Sequence, residues 1–174
     1  GSGSDAQGMK TEATRNGTDW KLNGSKLCIT NGGFANVFTV FAKTNTTRHG
    51  VTAPRVSAFI VDGDRKGFTR GPEEKKLGIK GSSTTALFFD QVDVPGNNLL
   101  SEEGRGFKLA MEILNSGRLG LAAGSVGGMK QILKLSVAHA MERKQFGSPI
   151  GEFGMIKMKI ADMVIDTYVG ESMT

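Results

Sequence analysis

The sequence has 174 residues, 38% of them hydrophobic, with 22 Lys and Arg against 17 Asp and Glu for a formal net charge of +5. That length supports one domain, or one domain with part of a second, and no apolar run is long enough to cross a bilayer as a helix. The positive balance suits an anionic partner as well as a merely solvated basic surface; aromatics do not interleave with the cations, which disfavours nucleic acid, and the single cysteine, Cys28, excludes an internal disulfide and fits a reducing compartment.

From residue 6 to about 98 the signals are those of strands. Runs at 19–22, 37–43, 56–62 and 85–92 mix apolar, aromatic and β-branched residues. The dipeptides Asn16-Gly17, Asn23-Gly24, Asn31-Gly32 and Asp62-Gly63 tolerate positive φ and predict hairpins or tight turns. The stretch 44–54 is polar and without pattern, which predicts a loop. Strands at this spacing predict a β-barrel or orthogonal β-sandwich.

After Val94-Pro95-Gly96 the period changes. Phe107, Met111, Leu114, Leu121, Ile132 and Leu135 recur at steps of three and four, predicting a long amphipathic helix. Gly120, Gly124, Gly127 and Gly128 each weaken it by up to about 1 kcal/mol relative to Ala, so close packing or a ligand is expected against them. Beyond Phe146-Gly147-Ser148-Pro149 a second helix carries Phe153, Ile156, Ile160, Met163 and Val164 on one face. The expected class is therefore α+β: a β-domain over 1–100, then, over 101–174, two long antiparallel helices of an incomplete bundle whose stripe requires further cover.

Three segments could carry chemistry. Gly1-Ser2-Gly3-Ser4-Asp5 reads either as a linker introduced in cloning or as a phosphate loop, where glycines admit the backbone and the Ser4 hydroxyl donates. Cys28-Ile29-Thr30-Asn31-Gly32-Gly33 ends a strand in a turn, so Thr30 either presents its hydroxyl at the rim or is simply a good strand former. Arg143-Lys144-Gln145-Phe146-Gly147 offers two cations, an amide and a ring, suited to a pyrophosphate and an adenine, or to a helix C-terminus. Arg118 sits on the apolar seam, where an arginine needs a partner or must snorkel. His49 and His139 have neither nucleophile nor metal-ligand spacing, so no metal is expected.

Together, in this order, these segments resemble the acyl-CoA dehydrogenase family. The matching stretches are Gly-Ser-Gly-Ser-Asp at 1–5, Leu-Asn-Gly-Ser-Lys-Leu-Cys-Ile-Thr-Asn-Gly-Gly at 22–33, Lys-Leu-Gly-Ile-Lys-Gly-Ser at 76–82, Phe-Asp-Gln-Val-Asp-Val-Pro at 89–95, Gly117-Arg118 and Arg-Lys-Gln-Phe-Gly at 143–147. Asn115-Ser116-Gly117-Arg118 and Phe153-Gly154 look most like its very-long-chain branch. The resemblance covers nearly the whole chain and implies a middle β-domain followed by the first helices of a C-terminal helical domain.

It also implies FAD as cofactor, α,β-dehydrogenation of a long-chain acyl-CoA to the trans-2-enoyl-CoA, and electrons passed to electron-transferring flavoprotein. By the same resemblance Thr30 meets the flavin near N5, Ile29 and Asn31 flank the ring, and Gly3 and Ser4 meet the FAD pyrophosphate or the thioester side of the substrate. Arg143, Gln145 and Phe146 reach the FAD of a neighbouring subunit in a dimer or dimer of dimers. Arg118 lines the substrate cavity, and Arg48 and Arg55 face the CoA nucleotide. Cys28 stands where the family usually has Trp, and Gly117 where some members carry the catalytic Glu. The base is then expected C-terminal to Thr174, so the chain alone is expected not to turn over acyl-CoA. The implied location is the mitochondrial matrix or the matrix face of the inner membrane, with peripheral membrane contact through sequence beyond Thr174, or the cytoplasm of a bacterium. A second reading is a non-catalytic β-domain serving as a binding or respiratory-complex assembly module.

Overall fold

The computed structural model describes residues 3–174, so the Gly1-Ser2 half of the opening run lies outside the described residues. The chain forms two compact units, 1–111 and 112–174.

The first unit is built on a sheet of seven strands: β1 (Glu12–Asn16), β2 (Asp19–Thr30), β3 (Val37–Arg48), β4 (Val51–Asp62), β5 (Phe68–Glu73), β6 (Thr84–Val94) and β7 (Leu99–Leu100). Their order is β5-β6-β2-β1-β3-β4-β7, and every pair is antiparallel except β1 with β3. The sheet curls on itself. Phe38 of β3 and Phe68 of β5 are not neighbours in that order, yet their rings lie 5.0 Å apart, and Trp20 of β2 meets Phe59 of β4 edge-on at 5.3 Å. The core so enclosed holds Trp20, Leu22, Phe59, Val61, Leu87, Val92 and Val94, all nearly inaccessible. At roughly 1.5–3 kcal/mol for each large side chain, that burial is what holds the unit together.

Two stretches depart from the sequence expectation. The stretch 44–54 is not a loop: β3 and β4 pair at every residue from Val37↔Asp62 to Arg48↔Val51 and turn at His49 (φ +51°) and Gly50 (φ +78°), the backbone of a tight primed turn. The inward positions there are threonines, not aliphatics. Thr44 and Thr46 are buried and joined by hydroxyl hydrogen bonds, Thr44 to Thr46 at 2.9 Å and to Ser57 at 2.7 Å, so the strand hides its alternation behind polar residues. Asn23-Gly24 likewise makes no turn. It lies inside β2 at a shift of register against β6, where Gly24 takes φ +133° and packs on Thr11 so closely that a Cβ would fall 2.8 Å from the Thr11 Cα.

Helix α1 (Gly106–Glu142) begins in the first unit and crosses the boundary after Met111. A two-residue hairpin, β8 (Lys144–Gln145) with β9 (Ser148–Pro149), then leads to α2 (Gly154–Met173). The helices run antiparallel: Gly151 faces Ala140 and Met141, and Gly170 faces Met129 and Val126. The covered stripe on α1 is the half-buried Val126, Met129 and Leu133 with the buried Ala140, and on α2 the half-buried Ile156, Ile160 and Met163 with the buried Thr167. The expected α1 seam of Leu114, Leu121, Ile132 and Leu135 is exposed instead. α1 carries a second apolar stripe, and α2 covers the one with smaller residues.

Candidate functional site

Thr30 closes β2 at a place where the backbone bends twice. Cys28 (φ +56°) and Asn31 (φ +63°) both take left-handed conformations on either side of it, and the β2–β6 register shifts between Lys26 and Ile29. The result separates three neighbours. Ile29 packs against the core, whereas Thr30 and Asn31 face outward, and the Thr30 hydroxyl makes no hydrogen bond among the described residues. Asparagine tolerates the left-handed region because its short polar side chain satisfies local groups; for Cys28 the same φ is strain of about 1–3 kcal/mol held by its surroundings.

The turn that follows is gripped on both sides. The Asn31 N–H donates to the Ser83 carbonyl at 3.0 Å and the Gly33 N–H to the Ser83 Oγ at 3.0 Å. Ser83 Oγ in turn donates to Glu73 Oε1 at 2.7 Å, and Glu73 Oε2 accepts the Thr84 N–H at 2.9 Å. The Arg70 guanidinium donates to the carbonyls of Gly32 (3.0 Å), Ala35 (2.8 Å) and Gly63 (3.3 Å). A Cβ on Gly33 would stand 2.3 Å from Glu73 Oε1 and 2.7 Å from Ser83 Oγ, so any larger residue there must displace the grip itself. The Ser83 hydroxyl and the Thr84 N–H hold the Glu73 carboxyl below its ordinary range, with Lys76 adding to the effect and desolvation opposing it.

A basic cleft of about 610 Å³ forms separately in the same unit. Arg48 and Arg55 line it with Lys43, Arg105 and Lys108, and one side is closed by Gly104, just before α1, and Phe107 in its first turn. Glu102 accepts from Arg48 at 3.1 Å and from Arg105 at 2.8 Å, so two of the five cations share one carboxylate. Arg55 Nε is buried and meets no acceptor among the described residues. Beneath the cleft, Ser57 Oγ accepts the Gly104 N–H at 2.8 Å and Thr46 donates to Glu103 at 3.0 Å, fixing the start of α1 to the β3–β4 hairpin. A concave, cation-lined site beside a helix N-terminus is suited to a polyanion.

The other expected residues lie apart. Gly3 and Ser4 are exposed, nothing stands within 4 Å of a Cβ built on Gly3, and Asp5 turns its carboxylate back on the Gly8 N–H at 3.1 Å. In the second unit Arg118 is exposed and donates to Asn115 Oδ1 at 3.2 Å, so it needs no burial partner. Arg143, Gln145 and Phe146 sit on the β8–β9 hairpin, where Phe146 and Gly147 both take positive φ. The Phe146 ring is 97% exposed, with only an edge contact to Phe153 at 6.2 Å. The helix glycines Gly120, Gly124, Gly127 and Gly128 have nothing within 4 Å of a Cβ, so no close packing among the described residues accounts for them.

Sequence reasoning missed Lys43, Arg105 and Lys108 in the cleft and the Arg70–Glu73–Ser83 grip on the turn. Gly104-Arg105-Gly106 was the one local signal, a cation between glycines at a helix start.

A curled β-unit followed by antiparallel helices, with an outward strand-end threonine and a cation-lined cleft, defines an α+β protein of mixed sheet. Family models agree: residues 1–92 match the acyl-CoA dehydrogenase middle domain and residues 104–174 the acyl-CoA dehydrogenase C-terminal domain. The chain belongs to the acyl-CoA dehydrogenase family. It is 51% identical to the human mitochondrial very long-chain specific acyl-CoA dehydrogenase over 99% of its own length and 27% of that protein. It is 48% identical to a probable acyl-CoA dehydrogenase of Bacillus subtilis, covering 28% of it. Among solved structures it superposes on butyryl-CoA dehydrogenase from Megasphaera elsdenii with a TM-score of 0.85 at 42% identity, over 97% of this chain and 43% of that one. On an acyl-CoA dehydrogenase from Bacillus anthracis complexed with FAD the TM-score is 0.86 at 46% identity, over 98% and 28%. The chain therefore spans little more than a quarter of the first curated relatives.

Proposed function

We propose that this chain forms the flavin-facing and CoA-facing surfaces of an FAD-dependent dehydrogenase of long-chain acyl-CoA, passing electrons on to electron-transferring flavoprotein. The observation that carries the reading is the basic cleft, in which the buried Arg55 Nε has no acceptor while Lys43, Arg48, Arg105 and Lys108 stand around it. CoA carries a 3′-phosphate and a pyrophosphate, and guanidinium groups bind such oxygens with charge-assisted hydrogen bonds.

The donor set also fits a flavin nucleotide. Thr30 offers an outward hydroxyl unbonded among the described residues, Ser4 an exposed one beside Gly3, and Arg143, Gln145 and Phe146 a cation, an amide and an exposed ring for the nucleotide of a neighbouring subunit. FAD, when bound, supplies the acceptor for the substrate's β-hydrogen as hydride. Thr30 would donate at the flavin N5 edge with Ile29 and Asn31 flanking the ring, and Arg118 would line the acyl cavity. The parent protein is a homo-oligomer of the mitochondrial matrix, its inner-membrane face, or the bacterial cytoplasm. Residues 1–100 act as its middle β-domain and 101–174 as the opening of its helical domain. With glycine at 117, no acid stands beside Arg118 to take the α-proton, and the 174 residues alone leave acyl-CoA unoxidised.

Calorimetric titration of CoA, with dephospho-CoA as comparison, tests the cleft. Arg55→Gln should weaken CoA binding about tenfold or more, since a hydrogen bond to a charged group is worth about 1.5–3 kcal/mol. Equal binding by wild type and variant would remove the cleft from the site. Anaerobic addition of palmitoyl-CoA to the FAD-loaded chain should leave the flavin absorbance unbleached. Rapid bleaching would show a base within these residues.

A further inference from the structure

The reading above leaves unused the side chains that grip the turn after Thr30. We infer that the Glu73–Ser83 pair, with Arg70 opposite it, is a positioning device that presets the Thr30–Ala35 turn for the flavin before the cofactor arrives. The inference rests on the proposal that Thr30 meets the flavin.

Each member has a definite direction. An ionised carboxylate only accepts, so Glu73 obliges the single Ser83 hydroxyl proton to point at Oε1. That leaves the Ser83 oxygen as acceptor for the Gly33 N–H. The Ser83 carbonyl takes the neighbouring Asn31 N–H, and Glu73 closes the loop on the Thr84 N–H. Thr84 is itself the β6 partner of Thr30, so the same relay holds both strands at the point where β2 ends. On the opposite side Arg70 takes the Gly32 and Ala35 carbonyls, its guanidinium lying over the Phe38 and Phe68 rings at 5.7 and 5.2 Å. Two of the turn's N–H groups, those of Asn31 and Gly33, are thus held by Ser83, whose hydroxyl the Glu73 anion orients, and two of its carbonyls, those of Gly32 and Ala35, by the Arg70 cation. This opposition holds Asn31 in a left-handed conformation alongside the core packing of Ile29 and Ala35 on either side of it. Unlike a hydrophobic contact, it fixes direction as well as proximity, which a strand-end donor aimed at one flavin atom requires.

The test compares FAD-loaded full-length chains carrying Ser83→Ala, Ser83→Thr and Thr30→Val, reading the FAD dissociation constant by fluorescence quenching, the bound flavin absorbance spectrum and the melting temperature. Ser83→Ala should weaken FAD binding about fivefold or more and shift the spectrum in the direction Thr30→Val does, whereas Ser83→Thr, which keeps the hydroxyl, should behave as wild type. If Thr30→Val alters binding and spectrum but Ser83→Ala does not, the positioning inference fails and the flavin reading stands. If Thr30→Val changes neither, the flavin reading fails and the inference with it. Should Ser83→Ala unfold, hydrogen exchange on the unmutated protein without FAD decides: the Gly33 amide must be protected, and free exchange there overturns the preset turn.

Discussion

The two units solve the problem of apolar surface in opposite ways. In the β-unit Trp20, Leu22, Phe59, Val61, Leu87, Val92 and Val94 vanish into one core, while in the helical unit only Ala140 and Thr167 are buried and Leu119, Leu121, Ile132, Leu135, Tyr168 and Val169 stand in the open. A curled sheet encloses a volume by itself. Two helices cannot, because each has more apolar circumference than one neighbour covers. The β-unit therefore carries its own stability, and the helical unit offers an apolar surface that needs a further partner layer.

The largest test of that contrast is a pair of truncations. Phe59→Ala, at a side chain with no exposure, should cost about 3–5 kcal/mol and lower the denaturant midpoint of the β-unit steeply, since a cavity is added to the lost transfer energy. Leu121→Ala, at 73% exposure, should stay within about 0.5 kcal/mol. Equal losses at the two positions would mean that the helical unit has a core of its own.

The glycines sharpen the same contrast with a smaller effect of opposite signs. Gly24→Ala puts a Cβ against Thr11 at φ +133° and should destabilise by about 2 kcal/mol or more. Gly124→Ala meets nothing within 4 Å and should raise helix content in far-UV circular dichroism, stabilising α1 by about 0.5–1 kcal/mol. A destabilising Gly124→Ala would show that another surface approaches α1 there.

The same division governs how much could be seen in the chain of letters. The change from strands to helices after Pro95 was plain because the period of apolar residues changes there, and Asn16-Gly17 does turn β1 into β2. The hairpin through 44–54 was not legible, because its buried side is Thr44, Thr46 and Ser57, whose hydroxyls satisfy one another only once the strands are paired. Arg48 and Arg55 follow from the family resemblance over 44–55 and from no motif of their own, and the structure brings them into one cleft. Lys43, Arg105 and Lys108 join them only through the hairpin and the anchoring of α1. The Gly33–Ser83 and Gly32–Arg70 bonds join positions far apart in sequence, set by β2–β6 register, and no local pattern announces them. On the helices the opposite error arose: period alone picked a stripe but could not say which of two stripes the neighbour covers.

The smallest expected effect separates the units by acid. Glu73 is held below the ordinary carboxylate range first by the Ser83 hydroxyl, then by the Thr84 N–H, with Lys76 the charged neighbour on its loop. A carboxyl with a depressed folded pKa stabilises the fold above its unfolded value, and that contribution is lost as pH falls through the folded value, below the usual range of about 4. Wild type should therefore exceed Glu73→Gln in denaturant midpoint at neutral pH, and the gap should close on acidification from about pH 6 to about pH 3. Glutamine keeps one acceptor but sets an N–H₂ group against either Ser83 or Thr84, so its own pH dependence lacks this contribution. The helical signal should show no such difference between the two proteins. A gap that stays constant with pH would mean that the Ser83–Glu73 bond does not depend on the carboxylate charge, and the direction imposed on the Ser83 hydroxyl would have to come from elsewhere.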